Sequence, residues 1–181
     1  MPTLRHDTIL LIKRLASREL KTKFGTFTEI LYYDGQKESI ALVMGDVSGE
    51  NVLCRVHSHC IGAHVFNSVE CTCREEMEAA QALIQREARG LIIWLDQEGK
   101  GNGHLALIES IPFKKDLGQA EAYVKAGYKA DARSYFPAAQ ILSDLKVRSI
   151  VLLTNAERKA GEMERDGVSV SAIQPLQINH P

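Results

Sequence analysis

The first third of the chain carries short-period patterning. Lys23–Tyr33 alternates around Phe24, Phe27 and Ile30 and runs into Asp34-Gly35, which predicts a strand entering a hairpin. Ser39–Met44 is the returning strand, Gly45-Asp46 and Ser48-Gly49-Glu50-Asn51 are turns, and Val52–Val56 is a third strand. Ahead of them, Leu11, Ile12 and Leu15 recur at helical spacing among Lys and Arg, predicting a helix over 8–20 with a basic outer face. The pattern then lengthens. Met77, Ala80, Leu83 and Ile84 form one stripe of a helix over Arg74–Arg89, with Gly90 at its C-terminal cap. Leu91–Leu95 is an apolar run that suits a buried strand. Further elements are a helical turn at Leu105–Ile108, helices at Gln119–Ala126, Phe136–Leu145 and Glu157–Arg165, and strands at Ser149–Leu153 and Val168–Ile173. Strand–helix–strand units after an antiparallel β region give an α/β (α+β) class with a mixed β-sheet. Gln174–Pro181 is expected to be a poorly ordered end.

Composition narrows the function. At 181 residues the chain suits one domain, expected to span 1–181. A net charge of −1 gives no electrostatic footprint for nonspecific binding of nucleic acid or of a membrane surface, so an anionic ligand needs a local basic site. No apolar run approaches the roughly 20 residues of a membrane span, and Ile9–Ile12 is too short for the apolar core of a signal peptide. The expectation is a cytoplasmic protein. Three of the four cysteines sit as C-x10-C-x-C at Cys60, Cys71 and Cys73, which suits a metal site in a reducing compartment better than disulfides.

Each candidate motif has a plainer reading beside it. Isolated cysteines are most often small buried hydrophobes, as expected for Cys54 in VLCRV, but three thiols this close favour zinc. Cys71 and Cys73 precede a helix, whose exposed N–H groups favour thiolates. His57, His59 and His64 lie nearby, so a closed Cys3His site competes with an open catalytic one. The H-x-E…P-C-x-x-C signature of zinc deaminases is missing. The loop QEGKGNG, with Glu98 and Lys100, could approach a phosphate closely, yet it matches neither a Walker loop nor a dinucleotide fingerprint. Asp131 and Arg133 are two apart, so an extended chain puts both on one side, as a solvated ion pair or an oriented guanidinium. Thr154, Arg158 and Lys159 follow a buried strand, where α/β sheets bind ligands and helix N-termini suit phosphate.

Taken together, GDVSG, RVHSHC, CTC, the DQEG loop, DAR and LLTN followed by Lys159 resemble the GTP cyclohydrolase II family, from about Gly45 to about Gly167. The resemblance implies a zinc-dependent hydrolase that opens the imidazole ring of GTP and releases formate and pyrophosphate, leaving a diaminopyrimidine ribosyl phosphate. It implies Cys60, Cys71 and Cys73 as zinc ligands, with zinc lowering the pKa of the attacking water. It implies Arg133 as the proposed nucleophile on the α-phosphorus and Asp131 as its partner, although an arginine is ordinarily always protonated and an electrostatic role is physically easier. Arg55, His57, Ser58, His59, Glu76, Glu98, Lys100, Thr154 and Lys159 fall at substrate-contacting positions. Magnesium with the triphosphate, a cytoplasmic homodimer and riboflavin synthesis are the family expectations.

Several positions depart from the family pattern. His59 stands where the family has Glu; Arg74 and Glu76 replace Gly and Gln; Lys100 replaces Arg. Ile111 or Phe113 falls where a Tyr is expected, and Gly118–Tyr123 departs from Asp-Thr-Val-Glu-Ala-Asn. Lys lacks the planar fork of Arg, and Glu accepts where Gln also donates. Two alternatives follow: a divergent enzyme that stops at a formamidopyrimidine or takes another nucleotide, and a non-catalytic zinc protein that binds nucleotides with His59 as fourth ligand.

Overall fold

The computed structural model describes residues 11–178. Among the described residues, seven strands form one mixed sheet in the order β1-β2-β3-β5-β4-β6-β7, the α/β class that the patterning predicts. Strands β1 (Lys13–Thr22), β2 (Gly25–Tyr33) and β3 (Glu38–Met44) make an antiparallel meander. Strand β4 (Val52–Ser58) leads through the short helix α1 (Ile61–His64) and α2 (Cys73–Glu87) to β5 (Gly90–Leu95). Strand β5 lies between β3, antiparallel, and β4, parallel. Helices α3 (His104–Ser110), α4 (Gln119–Lys125) and α5 (Phe136–Asp144) follow, then β6 (Ile150–Leu153), α6 (Arg158–Arg165) and β7 (Val170–Gln174). Strands β4, β6 and β7 run parallel.

Helices cover both faces of the sheet, because strands buried on both sides need two apolar layers. Ile92 and Leu153 pack with Ala80 and Ile84 of α2. On the opposite face, Leu91, Ile93, Val56 and Leu152 pack with Ile141 of α5 and Met163 of α6. Alternation along β5 therefore feeds two cores. Gly90 lets α2 approach: a Cβ there would lie 2.9 Å from both Ile84 Cγ1 and Leu53 O.

The helix expected over 8–20 is overturned for its described part. Residues 13–22 are a strand, and residues 1–10 lie outside the described residues. The register shifts between Arg14 and Ala16, so Leu15 sits at a bulge. That extra residue breaks the two-residue alternation that betrays a strand. The turn at Lys23-Phe24 then forces pairing with β2: Thr22 Oγ1 donates to Gly25 O at 2.9 Å and accepts from Phe24 N at 3.1 Å. Gly90 does not cap α2 either; Ala88 takes the left-handed position at φ 53° and Gly90 opens β5. The end of the chain is tied down further than expected. Leu176 is buried, and its backbone exchanges two hydrogen bonds with the Asn155 side chain, at 2.7 and 3.1 Å. Residues 179–181 lie outside the described residues.

Candidate active site

Strands β4, β5 and β6 run parallel, so the segments after Ser58, Leu95 and Leu153 emerge on one edge of the sheet. Such carboxyl ends are where open α/β sheets bind ligands. His59 N donates to Leu95 O at 2.9 Å, and Gln97 Nε2 donates to Ser58 Oγ at 3.1 Å. These bonds lock the first two segments together.

Three thiols meet on this edge. Cys60 follows β4 and leads into α1, while Cys71 and Cys73 flank the start of α2. Their sulfurs all lie within 4.8 Å of one another, with Cys60 and Cys71 3.7 Å apart. All three are half-buried and none is in a disulfide. Burial and the neighbouring sulfurs push the Cys73 thiol well up, and burial also raises Cys60. Three soft donors at this spacing, costly to ionise without a cation, fit a zinc ion with one position left open. His59 is no fourth member: its Nδ1 sits 3.5 Å from Asp96 Oδ1 and its ring packs 5.2 Å from Trp94. Cys54 is fully buried in the core, its thiol raised to about 12 by burial.

Beside the thiols lies a polar cluster anchored on Arg55, only 5% exposed. Its Nη1 donates to Leu153 O at 3.0 Å and its Nη2 pairs with Glu76 on α2. Glu76 is one helical turn from Cys73, so it links the two groups. His57 is buried 3.5 Å from Arg55 Nη2; burial first and that guanidinium second depress it to about 2, holding it neutral. Lys159 from α6 donates its ammonium to Val56 O. Burial, then Arg55 and Arg133, lower its pKa to about 7.

The D-A-R segment makes the far wall. Asp131 grips Arg133 in a two-pronged pair, Oδ1 to Nε 2.9 Å and Oδ2 to Nη2 2.5 Å, and also accepts from Arg133 N at 3.1 Å. Burial works to raise Asp131, but these bonds outweigh it and hold the carboxyl below its usual range. Burial alone would lower Arg133, yet the Asp131 bond keeps it above even the ordinary arginine range. Glu162 Oε2 stands 3.9 Å from Arg133 Nη2. The Gly-rich loop packs on this segment. Gly101, at φ 82°, would put a Cβ 2.6 Å from Ala132 C, and Ala132 N donates to Lys100 O at 2.8 Å. Burial lowers Lys100, with Arg158 and Arg133 adding to it and Asp131 opposing.

Two predicted contacts are occupied by the protein itself. Glu98 Oε1 accepts from Ile61 N at 2.9 Å and Oε2 faces His104 Nδ1 at 3.0 Å, tying the loop to α1 beside Cys60. Thr154 Oγ1 accepts from Ala156 N at 3.1 Å. Tyr135, Glu162 and His104 escaped the sequence reading. The first two were reachable: Tyr135 continues the alternation of Asp131 and Arg133, and Glu162 lies three residues beyond Lys159 on one helix face.

The family profile of GTP cyclohydrolase II matches residues 13–175. The chain belongs to the GTP cyclohydrolase II family. It is 42% identical over 177 residues to the riboflavin biosynthesis protein RibBA of Bacillus mycoides (strain KBAB4), covering 96% of this chain and 44% of that one. RibBA of Bacillus cytotoxicus is 42% identical over 163 residues, 88% of this chain and 41% of the relative. The chain thus spans less than half the length of these curated relatives. Among solved structures, RibBX of A. baumannii, described as a two-domain 3,4-dihydroxy-2-butanone 4-phosphate synthase, matches with a TM-score of 0.51 at 18% identity. That match covers 90% of this chain and 40% of that one and speaks to the fold alone. No helix among the described residues of this family member is long and apolar enough to cross a membrane.

Proposed function

We propose that this family member hydrolyses a nucleoside triphosphate, GTP by default, opening the imidazole ring and releasing formate and pyrophosphate. The observation that carries the reading is the meeting of a three-thiol cluster and a cluster of cations on one sheet edge, bridged by the Arg55–Glu76 pair. Cys60, Cys71 and Cys73 would hold zinc, which supplies Lewis acidity where the base is brought against the thiols. Arg55, Lys100, Arg133 and Lys159 bind and orient the phosphates, which travel as a magnesium complex. The Asp131 grip keeps Arg133 protonated, so its part in pyrophosphate release is to stabilise charge on the phosphoryl oxygens. Neutral His57 orients without adding charge, and Glu76 accepts hydrogen bonds from donors on the base. Following the name of its relatives, the chain would serve riboflavin synthesis in the cytoplasm, as a homodimer.

Quantifying formate and pyrophosphate from zinc-loaded protein and magnesium GTP tests this; neither product from GTP would sink it. A second reading stops at the formamidopyrimidine. It is favoured by Ile111 or Phe113 standing where a phenol would be expected, and it predicts pyrophosphate without formate.

A further inference from the structure

Tyr135 lies against two cations of the anion pocket and has no role in the reading above. Its ring centroid is 5.8 Å from Arg133 Cζ and 5.7 Å from Lys159 Nζ. Tyr135 is 2% exposed, and backbone anchors at Tyr135 and at the residue before it fix the segment. Tyr135 N donates to Asp166 Oδ2, and Ser134 N donates to Gln97 Oε1 at 3.2 Å. The phenol oxygen is buried with no hydrogen-bond partner among the described residues. The ring packs in the apolar core beneath the sheet edge and also lies within cation–π reach of Arg133 and Lys159.

Arg133 and Lys159 come from different segments and repel each other. An aromatic face, with its negative quadrupole, attracts both. Arg133 is faced by Asp131 and Glu162, and Lys159 by Glu76; the ring lies against both cations.

We propose that Tyr135 is a positioning residue whose ring face holds Arg133 and Lys159 at one spacing, ready to bind the oxygens of a pyrophosphate group. This rests on the anion-pocket reading above. The preorganisation lowers the cost of gathering two like charges when the ligand arrives.

The test is calorimetric titration of the zinc-loaded protein with magnesium pyrophosphate at pH 6.5, where Lys159 is mostly charged. Tyr135→Phe keeps the ring and removes an unpaired hydroxyl. It should bind within about twofold of wild type and melt at the same or a higher temperature. Replacing residue 135 by 3,4,5-trifluorophenylalanine keeps the shape and drains the π-face. Affinity should fall roughly three- to tenfold below Tyr135→Phe with the melting temperature little changed. Equal affinity for the fluorinated and plain rings overturns the proposal, leaving Tyr135 a packing residue. A loss in Tyr135→Phe equal to the fluorinated loss also overturns it, assigning the effect to the hydroxyl. If wild type binds no pyrophosphate, the anion-pocket reading itself fails, and the inference with it.

Discussion

The two halves of the candidate site are built in different ways. The thiol pocket is a local construction. Its three donors lie within fourteen consecutive residues, Cys60 to Cys73, on the ends of one strand and one helix. The cationic pocket gathers Arg55, Glu76, Arg133, Tyr135 and Lys159 from β4, α2, the segment before α5, and α6. A local site needs only its own turn geometry to be right. A dispersed site needs the whole sheet to be right, because each cation is placed by a different element. On the proposed reading the chemistry divides in the same way: soft donors for a metal on one side, positive charge for phosphate on the other.

If the halves are separable, damage to one should spare the other. The largest effect belongs to Cys71→Ser. Bound zinc should fall well below one per chain and formate release by at least about a thousandfold, while pyrophosphate affinity stays within about threefold. Metal analysis beside calorimetry checks both. Arg133→Lys comes next: it keeps charge but loses the two-pronged grip of Asp131. Pyrophosphate release should drop on the order of a hundredfold with zinc content unchanged. If zinc is lost as well, the halves are one structural unit.

Lys159 offers a pH handle. Its pKa of about 7 is set by burial, Arg55 and Arg133, against Glu76 and Cys54. The charged form binds anions, so pyrophosphate affinity should fall as pH rises from 6.5 to 8.5, by about tenfold. Lys159→Met should weaken binding at pH 6.5 and remove the part of the slope that the ligand's own titration does not explain. The stability sign is the reverse of the usual lysine case. Between about 7 and the ordinary lysine value the unfolded chain holds the extra proton, so Lys159 destabilises the fold most below pH 7, and that cost is relieved as pH rises. Lys159→Met should therefore gain more in melting temperature at pH 6 than at pH 9. The smallest effect is Gly101→Ala, where a Cβ would press on Ala132 at a φ few side chains adopt. Melting temperature should drop by several degrees and pyrophosphate affinity by a few-fold, with zinc retained.

The same division governed what could be read from the residues. The thiol cluster was legible because its members are near neighbours in sequence. The Asp131–Arg133 pair was legible because the strand period is two. Glu98 was legible as a loop residue but not as a tie to Ile61, which depends on how α1 sits against the loop. His59 counted as a ligand candidate by proximity in sequence, yet its backbone bond to Leu95 directs it to Asp96 and Trp94 instead. The N-terminal strand was misread as a helix because a bulge at Leu15 disguised its period.

By itself, the sequence determined the alternation of strands and helices, the donor set for a metal, and the charge types that a phosphate ligand would meet. Periodicity and residue chemistry are local properties, and they survive being written on one line. Only the tertiary structure decided which charges share a site, that Arg55 is neutralised by Glu76, that Lys159 is buried against Val56, and that Tyr135 lies against two cations. Those depend on strand order and on helices packed across the sheet, where residues about a hundred positions apart come within a few ångströms.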